Sequence, residues 1–362
     1  MYNSSILKSK IFTLLRICAV FLTLAAFSTS AFSQEEHAEG TGEKFETSKV
    51  VLEHIADSHS LHIIGHTHLP LPVIVYTSKG LEMFSSAKFA DEAGGHEEEG
   101  IYHGSNYNYK LVNDKVKIVN NAGEIDEAAT SGLYDFSITK NVVSMWMSVI
   151  LLLIIFISVS SSYKKRAGKA PKGLQAFVEP LIVFVRDDIA RPNIGYKHQR
   201  FMPLLLTVFF FIWINNLIGL VPFFPGGANL TGNIAVTLVL SVITLIVVNL
   251  NGNKHYWSHI FIPADVPVWI WPLWWVIELV GIISKPFALM IRLFANITAG
   301  HIIVLSLISL IFVFQSFAIA PVSIAFVVFM DVLELLVAAL QAFIFTLLTA
   351  LFIGTAIEEH HH

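Results

Sequence analysis

Val142 to Ser162 is an uninterrupted uncharged segment, of the length an α-helix needs to cross a hydrocarbon layer about 30 Å thick. Four more apolar stretches follow, at Phe201 to Pro222, Thr231 to Asn249, Trp269 to Phe314 and Pro321 to Ile357. The expected fold class is an all-α polytopic membrane protein with five transmembrane helices. Between the first two stretches, Pro171 to Pro192 carries Leu174, Phe177, Val178, Leu181, Ile182, Val185 and Ile189 at helical spacing, with charge at Lys172, Glu179, Arg186, Asp187, Asp188 and Arg191. That pattern predicts an amphipathic helix lying at the membrane interface. The last two long helices are expected to fold back on each other as an antiparallel hairpin through the break at Gln315 to Pro321.

Composition narrows the function classes. With 54% hydrophobic and only 14% charged residues, the chain lies outside the range of ordinary soluble enzymes. No strongly basic face or tail exists outside a short cluster at residues 163–200, so nucleic acid is not an expected partner. The single cysteine, Cys18, excludes a disulfide framework and any multi-Cys metal site. No phosphate-binding Gly-x-x-x-x-Gly-Lys-Ser/Thr loop occurs, so the chain performs no ATP chemistry itself.

Charge also orients the chain. Lys164, Lys165, Arg166 and Lys169 directly follow the first span, and the positive-inside rule puts them in the cytoplasm. The first helix then runs outward to inward, Phe223 to Leu230 returns the chain outside, and Lys254 and His255 mark the next cytoplasmic turn. Five crossings leave the C-terminus inside. Trp257, Trp269, Trp271, Trp274 and Trp275 fit an interfacial aromatic belt. A multi-pass protein of the inner membrane is expected.

The N-terminal third differs. Residues 1–33 combine Lys8, Lys10 and Arg16 with an apolar run from Ile17 to Phe27 and a small-residue stretch, which reads as a cleaved signal peptide. Residues 34–140 hold 18 acidic against 8 basic residues and form an acidic periplasmic extension of small mixed or β character. Its β-like runs are Leu71 to Tyr76, and Tyr107 to Val112 joined through Asn113 and Asp114 to Lys115 to Val119, a hairpin pattern. His54, His59, His62, His66 and His68 lie here, but without cysteine or a recognised ligand spacing no metal site and no cofactor are expected. Residues 141–359 are the membrane domain, and His360 to His362 receive no role.

Ionisable groups at membrane depth are costly and mark function. Between Trp269 and Ile357 they are Glu278, Lys285, Arg292, His301, Asp331 and Glu334. Glu278, Lys285 and Arg292 recur every seven residues, a helical stripe that drifts only about 20° per step, and Asn296 lies one turn beyond Arg292 on that face. In an antiparallel hairpin His301 falls level with Glu334 and Arg292 level with Gln341. A protonatable pair on the outer side, an acid on the inner side and a permanent guanidinium between them describe two offset half-pathways for a proton.

The run Lys285-Pro-Phe-Ala-Leu-Met-Ile-Arg-Leu-Phe-Ala-Asn-Ile-Thr-Ala-Gly-His301, followed by Leu340-Gln-Ala-Phe-Ile-Phe-Thr346, resembles subunit a of the membrane-embedded Fo sector of F-type ATP synthases. Asn215-Asn216-Leu-Ile-Gly-Leu-Val-Pro222 and Thr231-Gly-Asn-Ile-Ala-Val-Thr-Leu238 support the likeness, which covers about residues 141–359. The resemblance implies a proton-channel stator subunit, itself not an enzyme. Arg292 would be the stator arginine facing c-ring carboxylates, with Gln341 and Asn296 as polar neighbours. His301 and Glu334 would serve the proton inlet, bordered by Asn216, and Glu278 the outlet. Lys285 would set cytoplasmic electrostatics, or snorkel as a structural lysine, and Asp331 would widen the inlet. The implied partners are the c-ring, peripheral stalk subunit b, the remainder of the complex and membrane lipid. Two competing readings are a standalone metal or cation transporter with a histidine-rich capture domain, and a structural membrane anchor.

Overall fold

The computed structural model of the chain describes residues 57–64, 67–89, 100–112, 114–166, 168–221, 230–262, 267–314 and 319–358. The expected signal peptide and terminal histidines lie outside the described residues, as do His54, His66 and Asn113. All described residues belong to one compact unit.

Its first part is built from eight short strands. β1 (Ser60–Ile64) pairs with β2 (Thr67–Pro70), and β3 (Pro72–Thr77) lies between β4 (Gly80–Ser85) and β8 (Tyr134–Asp135). β6 (Asn108–Val112) lies between β5 (Ile101–His103) and β7 (Lys115–Val119), and every pairing is antiparallel. The expected hairpin is present: Val112 faces Lys115 across the two-residue turn, where Asp114 has φ 58°, the left-handed geometry that tight hairpins require. Alternation puts Val73, Val75 and Phe84 of one sheet against Tyr109, Leu111, Val116 and Ile118 of the other as a small core. Glu82 is held at its edge by the Tyr109 hydroxyl and by backbone N–H groups of Ser105 and Asn106. A single turn, α1 (Glu127–Ser131), is capped by Asp126.

β8 runs directly into the first membrane helix, α2 (Lys140–Lys165). Phe136 N–H donates to Ile74 O at 2.8 Å and Ile138 N–H to Pro72 O at 3.1 Å. At the helix start, Lys140 N–H donates to Ser58 O at 2.9 Å and Asn141 N–H to the Asp57 carboxylate at 3.2 Å. These bonds satisfy N–H groups that a helix terminus leaves unpaired, and the Asp57 charge complements the helix dipole.

The expected interfacial helix and second crossing are joined in one helical run, Leu174–Gly219. It comprises α3 (Leu174–Phe184), a π-helical turn (Val185–Ala190), α4 (Arg191–Ile194), a 3-10 turn (Gly195–Lys197) and α5 (His198–Gly219). Pro192 has no N–H and crowds the preceding turn, and the wider π turn just before it absorbs both effects. Gly195, at φ 70°, makes the bend into α5.

The remaining elements are α6 (Ile234–Asn251), the short helix α7 (Lys254–Phe261), α8 (Trp271–Val313) and α9 (Ala320–Ile357). α7 falls where the sequence suggested only a turn; Asn253 caps it by accepting from Tyr256 N–H. The indoles of Trp274 and Trp275 donate to His259 O and Phe261 O, which fixes the start of α8 against α7. With 43 and 38 residues, α8 and α9 are about 64 Å and 57 Å long at 1.5 Å per residue. Both are longer than the thickness of an apolar layer of about 30 Å.

α9 is the centre of the helical core. Ala338, Ala342, Thr346 and Ala350 recur every four residues, and each is 0% exposed; Gly354 continues the row. Small residues at this spacing let helices approach to backbone contact. Their neighbours include Leu205, Val208 and Ile212 of α5 and Leu289 and Leu293 of α8. The α8/α9 hairpin is antiparallel as expected: Ser323 Oγ donates to Leu307 O, Glu334 lies over Gly300, and Lys285 Nζ sits 5.7 Å from the Phe352 ring centroid.

Candidate functional site

The hairpin register decides which ionisable groups meet. Gly300 of α8 has no side chain, and the Glu334 carboxylate occupies the space a Cβ would need. His301, the next residue, shares a cavity with Glu334, Asn296, Asn216, Leu220, Ile297, Val337 and Ala338. Three helices therefore bring together four of the polar residues singled out from sequence. Glu334 Oε1 is buried and has no hydrogen-bond partner among the described residues, so the cavity holds an unused acceptor.

Asn216 closes the back of this cavity. Its side-chain N–H donates to Ala338 O at 3.2 Å, and its Oδ1 accepts from the Thr231 hydroxyl at 2.6 Å. Asn216 and Thr231 are 4% and 1% exposed, so this network locks α5 to α9 behind the site. Thr298 adds a bond of 3.5 Å to Gly232 O from α8. In the sequence Thr231 stood only as the first residue of a stretch that supports the family resemblance, with no role of its own. Replacing it by valine leaves Asn216 Oδ1 buried without a donor, at a cost of about 1–3 kcal/mol. The expected result for Thr231→Val is a lower thermal unfolding temperature of the detergent-solubilised protein, restored by Thr231→Ser.

Arg292 lies on α8 one turn before Asn296 and about two and a half turns before His301. It is exposed at the surface of the chain, as are Ala288, Ala295 and Ala299, which stand at helical spacing from it. Among the described residues it makes no hydrogen bond or ion pair, with Glu278 and Glu334 included. Gln341 falls near its level by the hairpin register but is 3% exposed, within α9's inward side. Asn296, expected as a neighbour of Arg292, lines the His301 and Glu334 cavity. Asp331 is exposed one turn from Glu334 and is not among the cavity residues.

On the other side of Arg292, a second cavity is lined by Lys285 and Pro286 of α8, Phe352 of α9, Thr244, Val248 and Asn249 of α6, and Tyr256 of α7, with Leu245 and Ile282. The Tyr256 hydroxyl donates to Asn249 Oδ1 at 3.1 Å. Burial, and then the charge of Glu278, push the Tyr256 phenol above its ordinary range. Glu278 is thus electrostatically linked to this cavity, although not among its lining residues. Asn249 and Tyr256 escaped sequence reasoning, because a tyrosine beside several tryptophans looks like part of the interfacial belt.

Five apolar helices and a hairpin carrying ionisable groups at three levels define a multi-pass membrane protein of the ion-translocating kind. Residues 142–354 match the ATP synthase A chain family, and the chain belongs to that family. Residues 50–136 separately match a domain of unknown function, DUF8433. Similar proteins include ATP synthase subunit a of Chloroherpeton thalassium, 48% identical over 236 residues that cover 64% of this chain and 70% of that protein. ATP synthase subunit a 2 of Chlorobaculum tepidum is also 48% identical, over 62% of this chain and 64% of its own length. ATP synthase subunit a 2 of Prosthecochloris aestuarii is 42% identical over 75% of this chain and 84% of that protein. That last coverage exceeds what residues 141–362 alone supply, so the likeness reaches into the N-terminal extension.

Proposed function

We propose that this chain is the proton-translocating stator of an F-type ATP synthase, working against a ring of c subunits and held by peripheral stalk subunit b. The observation that carries the reading is the separation of parts on α8: a polar cavity at His301 and Glu334, a second at Lys285 and Tyr256, and between them an exposed arginine with no hydrogen-bond or ion-pair partner among the described residues. A charged group on a lipid-exposed helix face costs about 2.5–3.5 kcal/mol. An apolar partner surface bearing carboxylates removes that cost, and a c-ring has this chemistry.

In this mechanism protons enter from the periplasm past Asn216, His301 and Glu334, with Asn296 at the cavity edge, and protonate a ring carboxylate. The carboxylate rotates through lipid in its neutral form and returns on the Glu278 side, where its proton leaves toward the cytoplasm. Arg292, with Gln341 at its level, favours the ionised carboxylate and bars direct leak between the two cavities. Lys285 sets the potential on the outlet side, and Asp331 widens the inlet funnel. Each proton crossing 100 mV supplies about 2.3 kcal/mol to rotation. The chain is non-catalytic, with residues 1–33 as signal peptide, residues 34–140 periplasmic, and the membrane domain from 141 ending in the cytoplasm.

The test is passive proton flux through vesicles stripped of the catalytic sector. Glu334→Gln removes the exchangeable proton but keeps the shape, and the expected slowing is about tenfold with His301 and water still present. Unchanged flux in an assembled complex rejects the inlet assignment. Loss of assembly as the sole effect supports a structural anchor instead.

A further inference from the structure

The sheet β4-β3-β8 has two unlike faces. Val73 and Val75 are fully buried on the core side. On the other side, Ile74 pairs with Met83, and Tyr76 pairs with both Leu81 and Tyr134. Phe136, two residues beyond Tyr134, returns to the same face, and its N–H donates to Ile74 O. Tyr76, Leu81, Met83, Tyr134 and Phe136 are 51%, 58%, 64%, 63% and 65% exposed. A single exposed apolar side chain needs no explanation, but a contiguous three-strand patch marks a contact surface.

We propose that this face docks on lipid, at the boundary of headgroups and acyl chains in the leaflet where α2 begins. Three observations point to lipid. First, the tether is short: Phe136 is four residues from the first residue of α2, at most about 14 Å of extended chain. Second, the tether is fixed, because Phe136, Ile138, Lys140 and Asn141 are all hydrogen-bonded to β3 or to residues 57 and 58. The sheet therefore cannot swing away from the membrane surface independently of the helix. Third, the patch joins two tyrosines and a phenylalanine to Ile, Leu and Met with no charged side chain among them, the composition that membrane interfaces take up. The proposal concerns the extracytoplasmic-type domain alone and stands whether or not the two half-pathways operate as described.

The experiment uses the assembled complex in phosphatidylcholine vesicles, with Cys18 replaced by serine. Met83→Cys, Phe136→Cys and, as a control on the other sheet, the exposed Lys115→Cys carry an environment-sensitive fluorophore one at a time. Quenching by lipid bearing a nitroxide near the headgroup is expected to be several-fold stronger at 83 and 136 than at 115, and quenching by aqueous iodide correspondingly weaker. Equal iodide quenching at all three positions, with no effect of the nitroxide lipid, overturns the proposal. Protection at 83 and 136 from both quenchers also overturns it, because it means that protein covers the face. ATP-driven pumping by the labelled vesicles is recorded in parallel, so that a failure of the stator assignment is seen separately from a failure of lipid docking.

Discussion

Arg292→Ala is expected to abolish ATP-driven proton pumping in inverted membrane vesicles, by about a hundredfold or more, the scale of removing one preorganised electrostatic group. The complex should still assemble, because the side chain is exposed and makes no hydrogen bond or ion pair among the described residues. Its loss therefore breaks no hydrogen bond or ion pair among the described residues. Immunoblots for the other subunits separate the two outcomes. Passive proton flux through vesicles stripped of the catalytic sector should persist or rise, since the barrier between the two cavities is gone. Arg292→Lys retains charge but not the planar, permanently protonated fork, and is expected to recover little pumping. Normal pumping by an assembled Arg292→Ala complex sinks the stator mechanism.

The second large effect is one of architecture. A Cβ on Gly354 would collide with the backbone carbonyl of Asn193, and a backbone atom held in a helical run cannot move aside as a side-chain tip can. Gly354→Val is expected to destabilise the docking of α9 by about 3 kcal/mol, at the upper end of overpacking costs. The measurement is the amount of full-length chain retained in membranes after a shift to higher growth temperature, with Gly354→Ala intermediate. Undiminished accumulation of the valine variant would show that α9 does not approach α4 at backbone contact.

The helical half of the molecule was largely legible because membrane helices announce themselves by uncharged length. The register of α8 against α9 was legible too, because polar residues at depth are so few that an antiparallel fold can pair them in one way. Less was visible where the information lies in backbone contacts. α7 is only eight residues long, below the length at which periodicity speaks, and Tyr256 on it reads as one more interfacial aromatic. The joining of α3 to α5 was missed because Pro192 and Gly195 signal a break in any sequence scan, whereas a π turn carries the helix across the proline. In the β region the hairpin at Asn113 and Asp114 was found from its turn chemistry. β8, two residues long, owes its place to tertiary hydrogen bonds with β3 and has no local signal. At the site, Glu334 and His301 were found as charged groups in apolar sequence, but the fit of Glu334 over Gly300 depends on a missing side chain, which no search for chemistry-bearing residues detects.

The π turn at Val185–Ala190 also sets a phase. A π turn accommodates one more residue than an α turn, and one residue corresponds to about 100° of helical rotation. Val178 on α3 and Phe201 and Leu205 on α5 belong to one buried cluster, and the chain between them passes through both this π turn and the bend at Gly195. Chain length in this short segment thus works as an angular setting: deleting a single residue between 185 and 190 would turn α3 by about 100° relative to α4, with which the π turn makes it continuous.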